Sequence, residues 1–501
     1  MICTPTKQYN PTMKNGVYTG DLTDEQIQAI QAIYANGGVE VLKDSLSGYV
    51  LTSFQTMLPS AAYIAKEYFI GADTGLGKSL MMSLYLNIHK IKGTLGPTQK
   101  ALVITTTSSI DQIKSTIEKS TGIKVFKISG DAKQIHKQLL HPDFKSSEVY
   151  IVSNSVFGSS VEFARVLSYM VTSFKTLVID EAMIVANDTS NTSMSLTAWA
   201  RHFEYKLGLN ATIIEKSLEQ AYNQMTLIAP NLLPSIDSLK GKYEMWSKPS
   251  RGKRSTFQGF RNLDQFLNSF PYHFYNVDRK DVGIEFNTED IIVPLYMTPL
   301  QKEVQHGKNY IYALFSPTTQ TDTSIIPFDR RNIPALSELI RIVRQEREIA
   351  KGGIVIYAGP TACKPLIEAE LRAEFEGITV GIIDGSETDS REDLRVGFNE
   401  GKIDVLIINI PEALDLVSGR VMIFWTIPSK HYQARNRIAR GLVKRDEVLR
   451  YYYLVYLNSH QSDYIRGTLL KDEITLTQSL GRTLGTARYL VKELNRLENK
   501  K

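Results

Sequence analysis

The sequence predicts an α/β protein of two tandem lobes, each built on a parallel sheet. Three observations carry that expectation. Short β-branched runs alternate with helical patterns along most of the 501 residues. The runs fall into two clusters, one before about residue 215 and one after about residue 350. A glycine-rich loop sits between an apolar run and a helical pattern in the first cluster.

Length and composition agree with this. A chain of 501 residues exceeds one ordinary core of roughly 100–200 residues. Hydrophobic residues make up 43% and charged residues 22%, enough apolar material to exclude disorder along the whole chain. Two cysteines, Cys3 and Cys363, cannot build a disulfide framework or a four-thiolate zinc site, and the eight histidines show no ligand spacing. No apolar run reaches the ~18–20 residues of a membrane span. The first residues, MICTPTKQYNP, lack the apolar stretch of a secretory signal. A cytoplasmic protein, bacterial or in a phage-infected cell, is therefore expected, with no membrane partner.

Candidate strands in chain order are 101–105, 148–152, 176–179, 353–357, 405–408 and 421–425. Apolar runs of that length between helices read as buried parallel strands. Residues 23–35 read as a helix with Thr23 as N-cap and Gln26 three positions on. The end, 486–500, is amphipathic, with Leu490, Leu494 and Leu497 on one face. The stretch 316–324 (SPTTQTDTS) reads as loop. Trp425 reads as core. The expected division is a helical extension at 1–48, a first lobe at 49–288 with a basic insertion about 240–285, a second lobe at 289–470, and a helical tail at 471–501.

The sharpest signal is Ala72-Asp73-Thr74-Gly75-Leu76-Gly77-Lys78-Ser79. Strand, glycine loop and helix form the context of a phosphate loop. Glycines let successive N–H groups turn around an anion, and the helix N-terminus adds its positive end. Thr74, Gly75, Leu76, Gly77, Lys78 and Ser79 are thus candidate phosphate-binding residues. Lys78 would bridge the β- and γ-phosphates, and Ser79 would place its hydroxyl on Mg²⁺. About a hundred residues on, Leu177-Val178-Ile179 delivers Asp180 and Glu181 at a strand end. Asp180 would hold the metal and Glu181 would polarise the attacking water. In Gln433-Ala434-Arg435-Asn436-Arg437-Ile438-Ala439-Arg440, Arg437 and Arg440 share a helical face and suit an arginine-finger role.

Net charge is +5. From residue 427 to the end, 15 Lys/Arg stand against 7 Asp/Glu, and 245–263 carries Lys248, Arg251, Lys253, Arg254 and Arg261 with no acid. Solvated surface and nucleic-acid contact explain these equally well.

The ordered set resembles superfamily 2 helicase-like ATPases, most closely the Swi/Snf branch of double-stranded DNA translocases, over roughly residues 50–460. Leu51-Thr52-Ser53-Phe54-Gln55 resembles the adenine-reading segment, with Gln55 as its reader. The strand running into Thr105-Thr106-Thr107-Ser108, and Val152-Ser153-Asn154-Ser155, resemble segments that contact a nucleic-acid backbone. Asp180-Glu181-Ala182-Met183 resembles the DEAH-type box with Met183 in place of His. Asn210-Ala211-Thr212 stands loosely where the family has its coupling motif. Met297-Thr298-Pro299-Leu300-Gln301 is similar to a Swi/Snf marker; Gly385, Arg391 and 412–416 resemble later motifs; Gln433, Arg437 and Arg440 match the final one, with Asn436 where glycine is usual.

The resemblance implies two tandem RecA-like lobes with an ATP cleft between them, ATP and Mg²⁺ as ligands, and a nucleic-acid-dependent ATPase. It implies a translocase on duplex DNA, with RNA left open, Thr105, Thr106, Thr107, Ser153 and Asn154 as nucleic-acid contacts, and catalysis by Glu181, Asp180, Lys78, Arg437, Arg440 and Gln433. A strand-separating helicase with the same ATP site is the nearest alternative. A nucleic-acid-independent phosphate-loop NTPase or kinase, and a scaffold without catalysis, are alternatives of other classes. The oligomeric state stays open, with a monomer preferred.

Overall fold

The computed structural model describes residues 13–14, 17–159, 163, 172–187, 190–214, 217–246, 257–304, 328–349, 352–384, 391–409, 414–439, 447–480 and 485–499. It divides into one unit of Met1–Val282 with Thr475–Arg482 and another of Gly283–Ile474 with Thr483–Lys501.

The first unit runs α1 (Asp24–Ala35), α2 (Ser53–Ala65), β1 (Glu67–Ala72), α3 (Lys78–Ile91), β2 (Lys100–Thr105), α4 (Ile110–Thr121), β3 (Val125–Ile128), β4 (Val149–Ser153), β5 (Phe174–Asp180), β6 (Tyr205–Asn210), α5 (Leu218–Ile228) and β7 (Phe274–Val277). Its seven strands pair in the order β7-β1-β6-β5-β2-β4-β3, every pair parallel. All six residues of β2 are buried, as expected of a strand covered on both faces. Because the strands are parallel, the segments that follow β1, β2, β4, β5, β6 and β7 all leave by one edge of the sheet. That edge gathers residues far apart in sequence and positions the candidate site. Gly208 in β6 permits this packing, since a Cβ there would lie 2.5 Å from a Phe69 ring carbon.

Helix α1 begins as its sequence indicates. Thr23 Oγ1 accepts the Gln26 amide at 3.2 Å, and Gln26 Oε1 accepts the Thr23 amide at 3.0 Å. The stretch expected as a basic insertion, about 240–285, contains core residues and a strand of the first sheet. Leu239, Tyr243, Phe260, Leu263, Phe266 and Phe270 lie in the core of the first unit, and 274–277 forms the edge strand β7 beside β1. Its basic residues hid the apolar ones between them. Within it, Glu244–Trp246 pairs antiparallel with Phe257–Phe260 as a two-stranded ribbon.

The second unit runs β8 (Asn287–Leu295), α6 (Pro334–Ile349), β9 (Gly353–Tyr357), α7 (Lys364–Glu374), β10 (Val380–Ile383), α8 (Arg391–Asn399), β11 (Val405–Ile408), β12 (Gly419–Phe424), α9 (His431–Arg435), β13 (Val448–Tyr456) and α10 (Thr486–Glu498). The sheet order is β8-β13-β12-β9-β11-β10, again parallel throughout. Pro294 cannot donate to a ladder and sits in the edge strand β8. Side chains of β9 alternate between two cores, Ile354 and Ile356 in one, Val355 and Tyr357 in the other. Leu490 and Leu494 of α10 are buried in the second of these cores, and Trp425 is buried in the first. The loop-like stretch 316–324 lies outside the described residues. No helix among the described residues is long and apolar enough to cross a membrane.

Two histidines are buried neutral. His89 lies edge-on to Tyr63, Tyr85 and Tyr205 at 4.9, 4.6 and 4.6 Å, and burial lowers its pKa to about 3. His431 is also lowered to about 3, by burial and by the Arg435 charge. Below pH 6.5 the unfolded chain takes up protons that the folded chain refuses, so stability falls as pH drops from 6.5 toward 3. Replacing His89 by Leu should therefore remove about 2 kcal/mol of the stability lost between about pH 6.5 and 5. Urea unfolding at both pH values measures this; equal acid losses in variant and wild type would contradict it.

Candidate active site

The loop 72–79 leaves β1 and enters α3 at the shared edge. Gly75 and Gly77 adopt φ of 84° and 81°, the left-handed region where a side chain is strained. Gly77 caps α3, so the free N–H groups of the first helical turn open onto the loop. Lys78, the first residue of α3, donates from Nζ to Ala72 O at 3.1 Å, folding its ammonium back over the loop.

Gln55 reaches the same loop. Its Oε1 accepts the Thr52 amide at 2.9 Å, at the start of α2, while its Nε2 donates to Leu76 O at 3.1 Å. A Cβ on Gly77 would meet that Nε2 at 2.5 Å, so the contact depends on glycine. Ser79 is half-buried in the first turn of α3.

On the same edge, β5 ends in Asp180, and β2 pairs with it in register, Ile104 opposite Ile179. Thr105 Oγ1 donates to Asp180 Oδ2 at 2.9 Å. Burial, then the neighbouring Glu181 charge, push the Asp180 carboxyl up to about 6, while Lys78, Thr105 and the Glu181 amide pull the other way. Glu181 itself has φ 52°, a left-handed conformation unusual for a residue with a side chain. Strain of this kind concentrates at functional sites.

The residues fit a magnesium nucleotide. A desolvated carboxylate that resists ionisation and a hydroxyl on the adjoining helix are hard oxygen donors, and a cation between them would restore the charge that burial opposes. The loop offers backbone amides and an ammonium for phosphates.

Residues 23–221 match the model of the DEAD/DEAH box helicase family. This stretch is similar to a DEAD/DEAH box helicase domain. The match begins at Thr23, the cap of α1, and therefore takes in the helix expected to be an extension. The matched stretch is followed by a second unit, also built on a parallel sheet. Among solved structures, the chain is similar to one described as the Sulfolobus solfataricus SWI2/SNF2 ATPase core in complex with dsDNA. That likeness has 15% identity over 98% of each chain and a TM-score of 0.38, too loose to add to the assignment. No curated protein matches the chain.

The expected nucleic-acid contacts separate into two kinds. Thr105 is fully buried, and its hydroxyl donates to Asp180. Ser153 is buried too, with its Oγ 2.9 Å from Ser155 Oγ and accepting the Val156 amide. Thr107 is exposed, and Thr106, Ser108 and Asn154 are half-buried at the same edge. In the second lobe Arg437 is buried, with its carbonyl accepting the Leu416 amide at 3.2 Å, and Gln433 is buried in α9. Arg440, Gly385, Glu412 and Ala413 lie outside the described residues.

Two groups escaped sequence reading. Gln224 on α5, fully buried, donates from Nε2 to Ile213 O and Gln220 O at 2.9 Å each and to Met183 Sδ at 3.8 Å, while its Oε1 accepts from Asn210 Nδ2 at 2.8 Å. It joins the acidic box to the segment after β6, and a lone Gln in an amphipathic helix gives no warning of that. The other is Arg279, in the turn after β7. Replacing Gln224 by Leu leaves the Asn210 amide and the buried Ile213 carbonyl without their partner, and should cost about 2 kcal/mol of stability. Adding Asn210→Ala should cost less than the sum of the two single changes, because the pair shares one bond. Chemical denaturation of the single and double variants measures both; strict additivity would mean that the pair does not interact.

Proposed function

We propose that this chain is a nucleic-acid-stimulated ATPase that moves along duplex DNA, in the manner of the Swi/Snf branch. The observation that carries the ATPase reading is the meeting of Lys78, Asp180 and Glu181 at one sheet edge, with Asp180 held by Thr105. Lys78 would hold the β- and γ-phosphates once it leaves Ala72 O, and the amides of residues 75–79 would share their charge. Gln55 would read the base from its place against the loop. Ser79 and Asp180 would hold Mg²⁺, which when bound neutralises phosphate charge. Glu181 would orient the water for in-line attack and accept its proton. Gln433, Arg437 and Arg440 are assigned as the second lobe's contribution to hydrolysis.

The duplex reading draws support from the half-exposed and exposed hydroxyls of Thr106, Thr107 and Ser108 after β2, which suit phosphate oxygens. It also draws on the Swi/Snf-like marker Met297-Thr298-Pro299-Leu300-Gln301. Phosphate contacts make binding sequence-tolerant and salt-sensitive. A second reading, strand separation, is favoured by the ribbon Glu244–Trp246 with Phe257–Phe260, whose Trp246 is 54% exposed. Displacement of a triplex strand from blunt duplex, set beside unwinding of forked DNA, separates the two readings.

Lys78→Ala and Glu181→Gln should each lower ATP turnover at least ~100-fold with the fold intact. Turnover is to be measured with no polymer, single-stranded DNA, duplex DNA and RNA in parallel. The greatest stimulation is expected with duplex DNA. Turnover unaffected by any polymer would favour a nucleic-acid-independent NTPase, and wild-type rates in either variant would place the active site elsewhere.

A further inference from the structure

Strand β7 ends at Val277 and is followed by Asp278-Arg279-Lys280-Asp281. Because β7 pairs with β1, Val277 opposite Ala72, this run emerges beside the phosphate loop. The ladder continues one residue into the loop, where the Asp73 amide donates to Val277 O at 3.1 Å. The run is a tight turn held by its own acids. Asp281 Oδ2 accepts the Asp278 amide and Asp278 Oδ1 accepts the Lys280 amide, both at 2.9 Å.

That turn presents Arg279 to the loop. Its side chain is 8% exposed. Nε donates to Thr74 O at 2.8 Å, and Nη2 donates to Thr74 O at 2.5 Å and to Thr74 Oγ1 at 2.6 Å. Nε lies 3.6 Å from Asp73 Oδ2, and Asp73 Oδ1 accepts the Thr74 amide at 2.7 Å. Thr74 is thus gripped at its amide, its carbonyl and its hydroxyl. In a trans peptide the C=O and the following N–H point in opposite directions. A guanidinium that holds the Thr74 carbonyl therefore turns the Gly75 amide the other way, toward the hollow that would receive a phosphate.

The chain leaves the first unit at Val282, three residues after Arg279. We propose that Arg279 is a positioning residue for the phosphate loop. It presets the Gly75 amide for the nucleotide and ties the loop to the segment through which the chain passes into its second lobe. This rests on the nucleotide reading of the loop. Lysine cannot replace it fully, because one ammonium cannot make the forked contact to carbonyl and hydroxyl together.

The test uses the full chain. Binding of a fluorescent ADP analogue with Mg²⁺ to the wild type comes first; no binding there would sink the nucleotide reading itself and this inference with it. Given binding, Arg279→Gln should raise KM for ATP about 10-fold or more while kcat changes less than about 3-fold, with Arg279→Lys in between. An unchanged KM in a folded Arg279→Gln variant would overturn the proposal while leaving the nucleotide site standing. Should Arg279→Gln fail to fold, Arg279→Lys and hydrogen exchange on the wild type decide. Nucleotide should slow exchange of the amides of residues 277–282. Tight nucleotide binding with unchanged exchange in that segment would overturn the link.

Discussion

The structure depends on a carboxylate kept where water cannot easily reach it. Asp180 ends the central strand β5, buried, and Lys78, the Thr105 hydroxyl and a backbone amide favour its ionised form against that burial. Three different strands must end at the same edge for this to happen. A parallel sheet achieves that automatically, and an antiparallel one would send alternate strand ends to opposite sides. The architecture and the chemistry are one constraint seen at two scales. The crossover helices that make the sheet parallel also cover it, which forces the long buried runs of Val, Ile and Leu.

Those runs are why so much was legible. All six expected strands are present, each in one of the two sheets, because a strand buried on both faces is written as a continuous apolar word. Strands β6 and β13 went unread although both lie inside their sheets. Two others that went unread are of another kind. Phe274–Val277 is short and stands among basic residues, and Asn287–Leu295 carries charges along its first half. Both are edge strands, half-covered, with weaker patterns. The phosphate loop and the Asp-Glu pair were legible because their chemistry needs particular residue types at particular spacings. Thr105 shows the limit of such reading. A hydroxyl at a strand end suits a phosphate or a carboxylate equally, and only the register of β2 against β5 decides for Asp180.

Gln224 and Arg279 illustrate what sequence spacing leaves out. Each acts across a distance set by sheet order rather than by chain order. Arg279 lies 205 positions from Thr74, yet β7 and β1 are neighbours. Gln224 lies 41 positions from Met183, and it touches both that residue and Asn210 because α5 packs against β6 and the short helical turn Ala182–Val185 after β5. Polar side chains reveal their function only through partners, and partners follow from topology.

The departures from the family pattern acquire a physical reading in this light. Methionine in place of histidine in the acidic box removes two ring nitrogens that could bond across the edge. A thioether is a weak acceptor, and at 3.8 Å the Gln224 amide makes only a soft contact with it. The stronger bonds of Gln224 go to the Asn210 side chain and to the backbone around it. Asn210 in turn accepts the Ala211 amide and so fixes the first peptide of the segment after β6. The hydrogen bonds thus concentrate on the segment after β6 rather than on Met183. The acidic box is left with its strain concentrated in the left-handed Glu181, next to a residue whose sulfur can slide without breaking a strong hydrogen bond.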